Sequence, residues 1–73
     1  MLVPVRGVRI HCVRFTKRIG RWPAGTEGAV VNTHCDEVEV EIVERGSGYT
    51  LDIVDAPVDS VEVTRLQEVT AVA

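Results

Sequence analysis

Val38, Glu39, Val40, Glu41 and Ile42 alternate apolar with acidic, and a period of two marks a strand with one dry and one wet face. Downstream, Arg45-Gly46-Ser47-Gly48 is a turn cluster whose glycines reach positive φ at little cost. Beyond it, Tyr49, Leu51 and Ile53 resume the apolar beat against Thr50 and Asp52. A loop of those four residues sets Glu44 opposite Tyr49, Ile42 opposite Leu51 and Val40 opposite Ile53, so both apolar sets share a face. It also sets Glu41 opposite Asp52 on the wet face, a like-charge pair that costs on the order of 0.2–1 kcal/mol.

The same reading extends in both directions. Pairing Thr33 with Val38 places Ala29 and Val31 beside Val40 and Ile42, whereas a slip of one would bury Asn32 and His34 without partners. Val8, Ile10 and Cys12 against Arg9 and His11 give a first strand over residues 7–13. Residues 15–24 are polar and basic and contain Gly20 and Pro23, which leaves a long loop rather than a strand or helix. Loops near about 12 residues tend to carry function. Ala56-Pro57-Val58-Asp59-Ser60 predicts a tight turn or one turn of 3₁₀ helix, and Val61 to Leu66 a fifth strand with Val61 and Val63 inward.

Five short strands, a long first loop and a 3₁₀ turn before the last strand predict an all-β fold, a small five-stranded SH3-like barrel whose edges are largely removed by closure. An OB-like barrel would ask for longer strands and a helix. The expected divisions are an N-terminal arm over 1–6, the barrel over 7–66 and a C-terminal tail over 67–73. That tail carries Val69 and Val72 and is compatible both with fraying and with adding to a sheet edge. With 73 residues the chain buries only about 60% of its unfolded surface, so its core is thin.

Gly25, Gly28, Val30 and Val31, followed by the acidic-apolar run 38–43 and the closing segment 58–63, resemble a bacterial family of short SH3-like proteins of unknown function. KOW modules, the photosystem I accessory subunit and the nitrile hydratase β-subunit domain are looser likenesses. The resemblance covers roughly residues 7–66. It implies a barrel and brings no catalytic residues. This chain departs from it in a loop richer in arginine and poorer in acids.

Charge changes the picture. Residues 1–26 carry six cations (Arg6, Arg9, Arg14, Lys17, Arg18, Arg21) and no acid, whereas 27–73 carry eleven acids against Arg45 and Arg65, a balance of +6 against −9. Such sorting bears on partners and association rather than on fold. It is satisfied internally if the basic loop lies against the acidic hairpin, and externally if each meets a partner.

Candidate chemistry is sparse. His11-Cys12 and His34-Cys35 offer two thiols and two imidazoles, but neighbours on a strand point to opposite faces and zinc sites use close pairs. A hairpin about the long loop sets Cys12 near Ala29 and Cys35 roughly 15–20 Å away at 3.3 Å per residue, beyond disulfide reach. No metal or cofactor is therefore expected, with Cys12 a small core residue and both histidines exposed. Ser47 and Ser60 lack a local base, and the Gly-x-x-Gly lacks a following lysine and helix, so no enzyme is expected.

Trp22, beside Arg21 and Phe15, has two readings: a stacking platform for nucleic acid or peptide, or a cap on the barrel mouth. The chain has only three aromatics, which favours the cap. No apolar run approaches the roughly 18 residues that span a bilayer, and 1–6 lack a secretory apolar stretch, so a cytoplasmic location is expected. The expected function is a protein-interaction module, an accessory or partner-binding subunit. Its contact residues would be Arg14, Lys17, Arg18, Arg21 and Trp22 on the loop, with Glu39, Glu41 and Asp52 on the hairpin. The alternatives are a head-to-tail homo-oligomer and, against the acidic remainder, a nucleic-acid binder using the N-terminal arginines.

Overall fold

The computed structural model describes the backbone of residues 7–70 and the side chains of 10–67. The five strands β1 (Gly7–Phe15), β2 (Glu27–His34), β3 (Glu37–Val43), β4 (Thr50–Pro57) and β5 (Val61–Thr70) form one antiparallel sheet, with a 3₁₀ turn, η1 (Val58–Ser60), between β4 and β5. The strand order is β4-β3-β2-β1-β5. Among the described residues the sheet is not closed, and β4 and β5 remain as edges. The expected 67–73 tail is a strand through Thr70, paired with β1 back to Gly7. The N-terminal arm 1–6 and the last three residues lie outside the described residues.

Strand identities follow the sequence pattern, whereas the β2–β3 and β3–β4 hairpins each slip from the expected register partway along, at a bulge. Thr33 pairs with Val38 as expected, but an extra residue between Val30 and Asn32 sets Val30, not Val31, opposite Val40. Val31 is consequently exposed and Val30 packs on the core. In the next hairpin the Glu44 amide donates to the Tyr49 carbonyl (2.7 Å), which is the expected loop closure. A register shift between Ile42 and Val43 then sets Ile42 opposite Asp52 and Glu41 opposite Ile53. Leu51 and Ile53 are therefore exposed rather than core, and Glu41 is not opposite Asp52. A third shift, between Cys12 and Val13 where β1 meets β5, leaves Thr64 as the extra residue. Bulges of this kind bend a strand and raise its twist, which coils an otherwise flat sheet.

The core consists of Val13, Phe15, Val38, Val40, Ile42 and Ala56, with Ile19, Trp22, Val30, Val54 and Val61 packed against it. Cys12 is not part of it: alternation puts Ile10 and Cys12 on the opposite face from Val13 and Phe15, and Cys12 is half-buried there. Val63 points to the core side yet stays 61% exposed, because β5 is an edge over which no described residue packs. At Gly28, β2 leaves no room for a side chain against β3. A methyl group there would stand 2.6 Å from Val40 Cγ1 and 2.7 Å from the Glu41 carbonyl oxygen. Gly28→Ala is thus expected to cost about 1–3 kcal/mol, by forcing backbone apart in a filled core. That corresponds to a fall of several degrees in the thermal midpoint at about 4–8 °C per kcal/mol for a domain this size. An unchanged midpoint would mean that the two strands do not approach this closely.

Candidate functional site: the loop and hairpin surface

Residues 16–26 leave β1 at Phe15 and return at Glu27, and backbone bonds hold both ends of the excursion. The Phe15 amide donates to Thr26 O (2.9 Å) and the Gly25 amide to Phe15 O (2.8 Å), while the Thr16 amide donates to Ser60 O (2.8 Å). At the tip, Ile19 and Trp22 exchange both backbone bonds, at 2.8 and 2.9 Å. The loop is therefore a miniature hairpin, fixed by its own backbone and anchored to η1. Ile19 and Trp22 turn inward onto the core. Gly20, Arg21 and the preceding Lys17 and Arg18 stay outside.

Trp22 is half-buried as a cap over the core, and its indole N–H donates to Asp52 Oδ2 at 2.9 Å. The Arg21 guanidinium lies over the Trp22 ring, 4.9 Å from its centroid, and its Nε is 3.8 Å from the same Asp52 oxygen. Arg18 Nη1 donates to Arg21 O at 3.4 Å. Four of the expected contact residues thus meet at one end of the sheet: Arg18, Arg21, Trp22 and Asp52. The β4 bulge makes this possible by turning Asp52 away from Glu41 and toward the indole.

The other four expected residues go elsewhere. Arg14 Nε donates to Glu62 Oε1 at 2.8 Å, and its Nη2 reaches the same oxygen, so Arg14 is engaged across β1 and β5. Glu62 was not singled out by the sequence, because the pair is 48 residues apart. Lys17 is exposed and has no carboxylate within 4 Å among the described residues. Glu41 accepts from Thr50 Oγ1 at 2.8 Å on the face away from the core. Glu39 stands opposite Asp55 on that same face, with His34 Nε2 3.7 Å from Glu39. The ligand atoms of His34, Glu39 and Asp55 lie within 4.8 Å of one another, the one grouping of three potential metal ligands among the described residues. No sequence spacing signals it, since each comes from a different strand; His34 and Asp55 are exposed and Glu39 is half-buried.

The groups weighed for nucleophilic chemistry are occupied by turns. Ser60 is fully buried and donates to Pro57 O (2.6 Å), and Ser47 donates to Glu44 Oε1 (2.8 Å). Cys12 sits opposite Ala29 as expected, Cys35 lies in the β2–β3 turn, and both thiols are free. Among the described residues no helix is long and apolar enough to cross a membrane. Compared with protein-family models, with characterised proteins and with solved structures, the chain gives no match.

The Trp22 indole holds the Asp52 carboxyl below its ordinary value of 3.8, aided by the Ile53 amide and the Arg21 charge and opposed by partial desolvation. A carboxyl depressed on folding adds stability above its unfolded value and loses it as pH falls through the folded one. The Trp22–Asp52 clamp is therefore intact at neutral pH and down through the ordinary carboxyl value of 3.8, and is released only as pH falls through the lower folded value. Asp52→Asn keeps an acceptor for the indole but removes the charge. The thermal midpoints of wild type and variant should differ at pH 7 and converge as acid protonates the Asp52 carboxyl in the folded state, with the single tryptophan reporting the change by fluorescence. A constant gap across that range would remove Asp52 from the clamp.

Proposed function

We propose that this chain is a non-enzymatic protein-interaction module of SH3-like architecture, which binds an acidic segment of a partner through its first loop. The SH3-like reading is supported by the strand order and by η1 between β4 and β5. It also draws on the way β2 serves two halves of the sheet, pairing with β1 only over Glu27–Ala29 and with β3 beyond. The observation that carries the interaction reading is the state of the loop: its conformation is fixed from inside, and its cations point out. Trp22 and Ile19 supply the anchor, so presenting Lys17, Arg18 and Arg21 to a partner costs little ordering entropy. Of these three, Arg21 alone has a carboxylate nearby among the described residues, Asp52 at 3.8 Å.

A protein partner is favoured over nucleic acid because the remainder of the chain carries −9, which repels a polyanion approaching more than the loop tip. A short acidic peptide meets only the tip. Substituting Lys17→Glu with Arg18→Glu should leave folding unchanged, since both side chains are exposed and outside the core. Tagged wild-type chain should capture a partner from its native cells at low salt and release it as salt rises; the double variant should capture at least about tenfold less, and shotgun mapping should place the contact in an acidic segment. Equal capture by both proteins, at equal thermal midpoint, would eliminate the loop as the contact surface.

A further inference from the structure

We propose that the outer edge of β5 is a self-association surface, on which two copies of this chain join their sheets antiparallel with Glu62 of each opposite Arg65 of the other. β5 is ten residues long, lies at the end of the strand order, and contains neither proline nor lysine. An edge strand of this kind presents a row of unpaired backbone donors and acceptors, which natural sheets normally block. On its core-side face Val63 and Leu66 are 61% and 50% exposed, and Val58 of η1 beside them is 53% exposed. Val58, Val61 and Val63 also line a groove of about 260 Å³ there.

Charge identifies the occupant as a second copy. The bulge at Thr64 puts residues three apart on one face: Glu62 pairs with Arg14 and Arg65 with Cys12, and Cys12 and Arg14 are two apart on β1. Without that bulge Glu62 and Arg65 would point to opposite faces and could not be cross-strand partners. With it, an antiparallel copy in this register forms two Glu62–Arg65 pairs on one face and sets Val61 opposite Leu66 twice on the other. A slip of one position sets apolar side chains against charged ones.

Both charges are available. Arg14 uses only Oε1 of Glu62, which leaves Oε2 for the incoming guanidinium. Arg65 has no carboxylate within 4 Å among the described residues and rests 3.7 Å from Cys12 Sγ. The opposite edge refuses the same pairing. β4 carries Asp52 and Asp55, with Glu39 directly behind Asp55 on β3, and two such edges would bring acids against acids.

Sedimentation equilibrium of the full chain over a range of concentrations tests this. Wild type should show a concentration-dependent monomer–dimer equilibrium. Arg65→Glu turns two attractive pairs into two repulsive ones and should weaken the dimer by at least about tenfold. Leu66→Lys, which places a charge on the apolar face of the edge, should do the same, and circular dichroism should show both variants folded. Ile53→Lys on β4, and the loop pair Lys17→Glu with Arg18→Glu, should leave the dimer intact. A chain that stays monomeric at every concentration, or a dimer that survives both β5 variants, would overturn the proposal, as would a dimer lost only in the β4 or loop variants.

Discussion

Between β2 and β3 the chain passes two residues against one at Val31, between β3 and β4 it does so at Leu51, and between β1 and β5 at Thr64. Each extra residue exchanges the faces of everything beyond it, because side chains on a strand alternate with period two. The dry face of this sheet is therefore assembled from segments that are out of phase with one another along the sequence. Val30 rather than Val31, and Val54 rather than Ile53, end up packed on the core. The twist that the bulges add lets one sheet wrap its small core of Val13, Phe15, Val38, Val40, Ile42 and Ala56 without closing on itself.

The bulge in β4 also links packing to the surface. It moves Asp52 out of opposition to Glu41 and onto the core side, where it meets the Trp22 indole and the Arg21 guanidinium. The thin core gains an aromatic lid, and the lid is tied at its polar end rather than left with an unpaired N–H. The same contact orders the arginine-bearing loop. Stability and presentation of charge are thus one arrangement, in which Trp22 belongs to the interior and Arg21 stacks on its outer side.

The uneven charge of the chain is in part spent internally and in part left over. Arg14 is taken by Glu62 and Arg21 leans on Asp52, while Arg45 reaches Glu27 only at 3.8 Å and nearly full exposure, where such a pair contributes little. Lys17 and Arg18 on the loop, and Arg65 on β5, have no carboxylate within 4 Å among the described residues. The acids instead gather on β3 and β4, where Glu39 faces Asp55 directly. That like-charge crowding guards one open edge of the sheet, and the mixed signs of Glu62 and Arg65 leave the other edge receptive.

Strand identity, the long loop, the four-residue turn with Gly46 and Gly48 at φ +98° and +76°, and the 3₁₀ turn were all decided locally, by period-two alternation and by turn residues. The cap role of Trp22 was legible too, from the scarcity of aromatics. Face assignment was not, because a bulge leaves no mark in a pattern of valines: Val30 and Val31 are identical in type, and only contact with Val40 chooses between them. The gathering of Arg18, Arg21, Trp22 and Asp52, the pairing of Arg14 with Glu62, and the openness of the sheet were settled by the tertiary structure. They depend on which strand edges meet and on how far each is shifted, a long-range outcome of packing that no residue's neighbours in the chain encode.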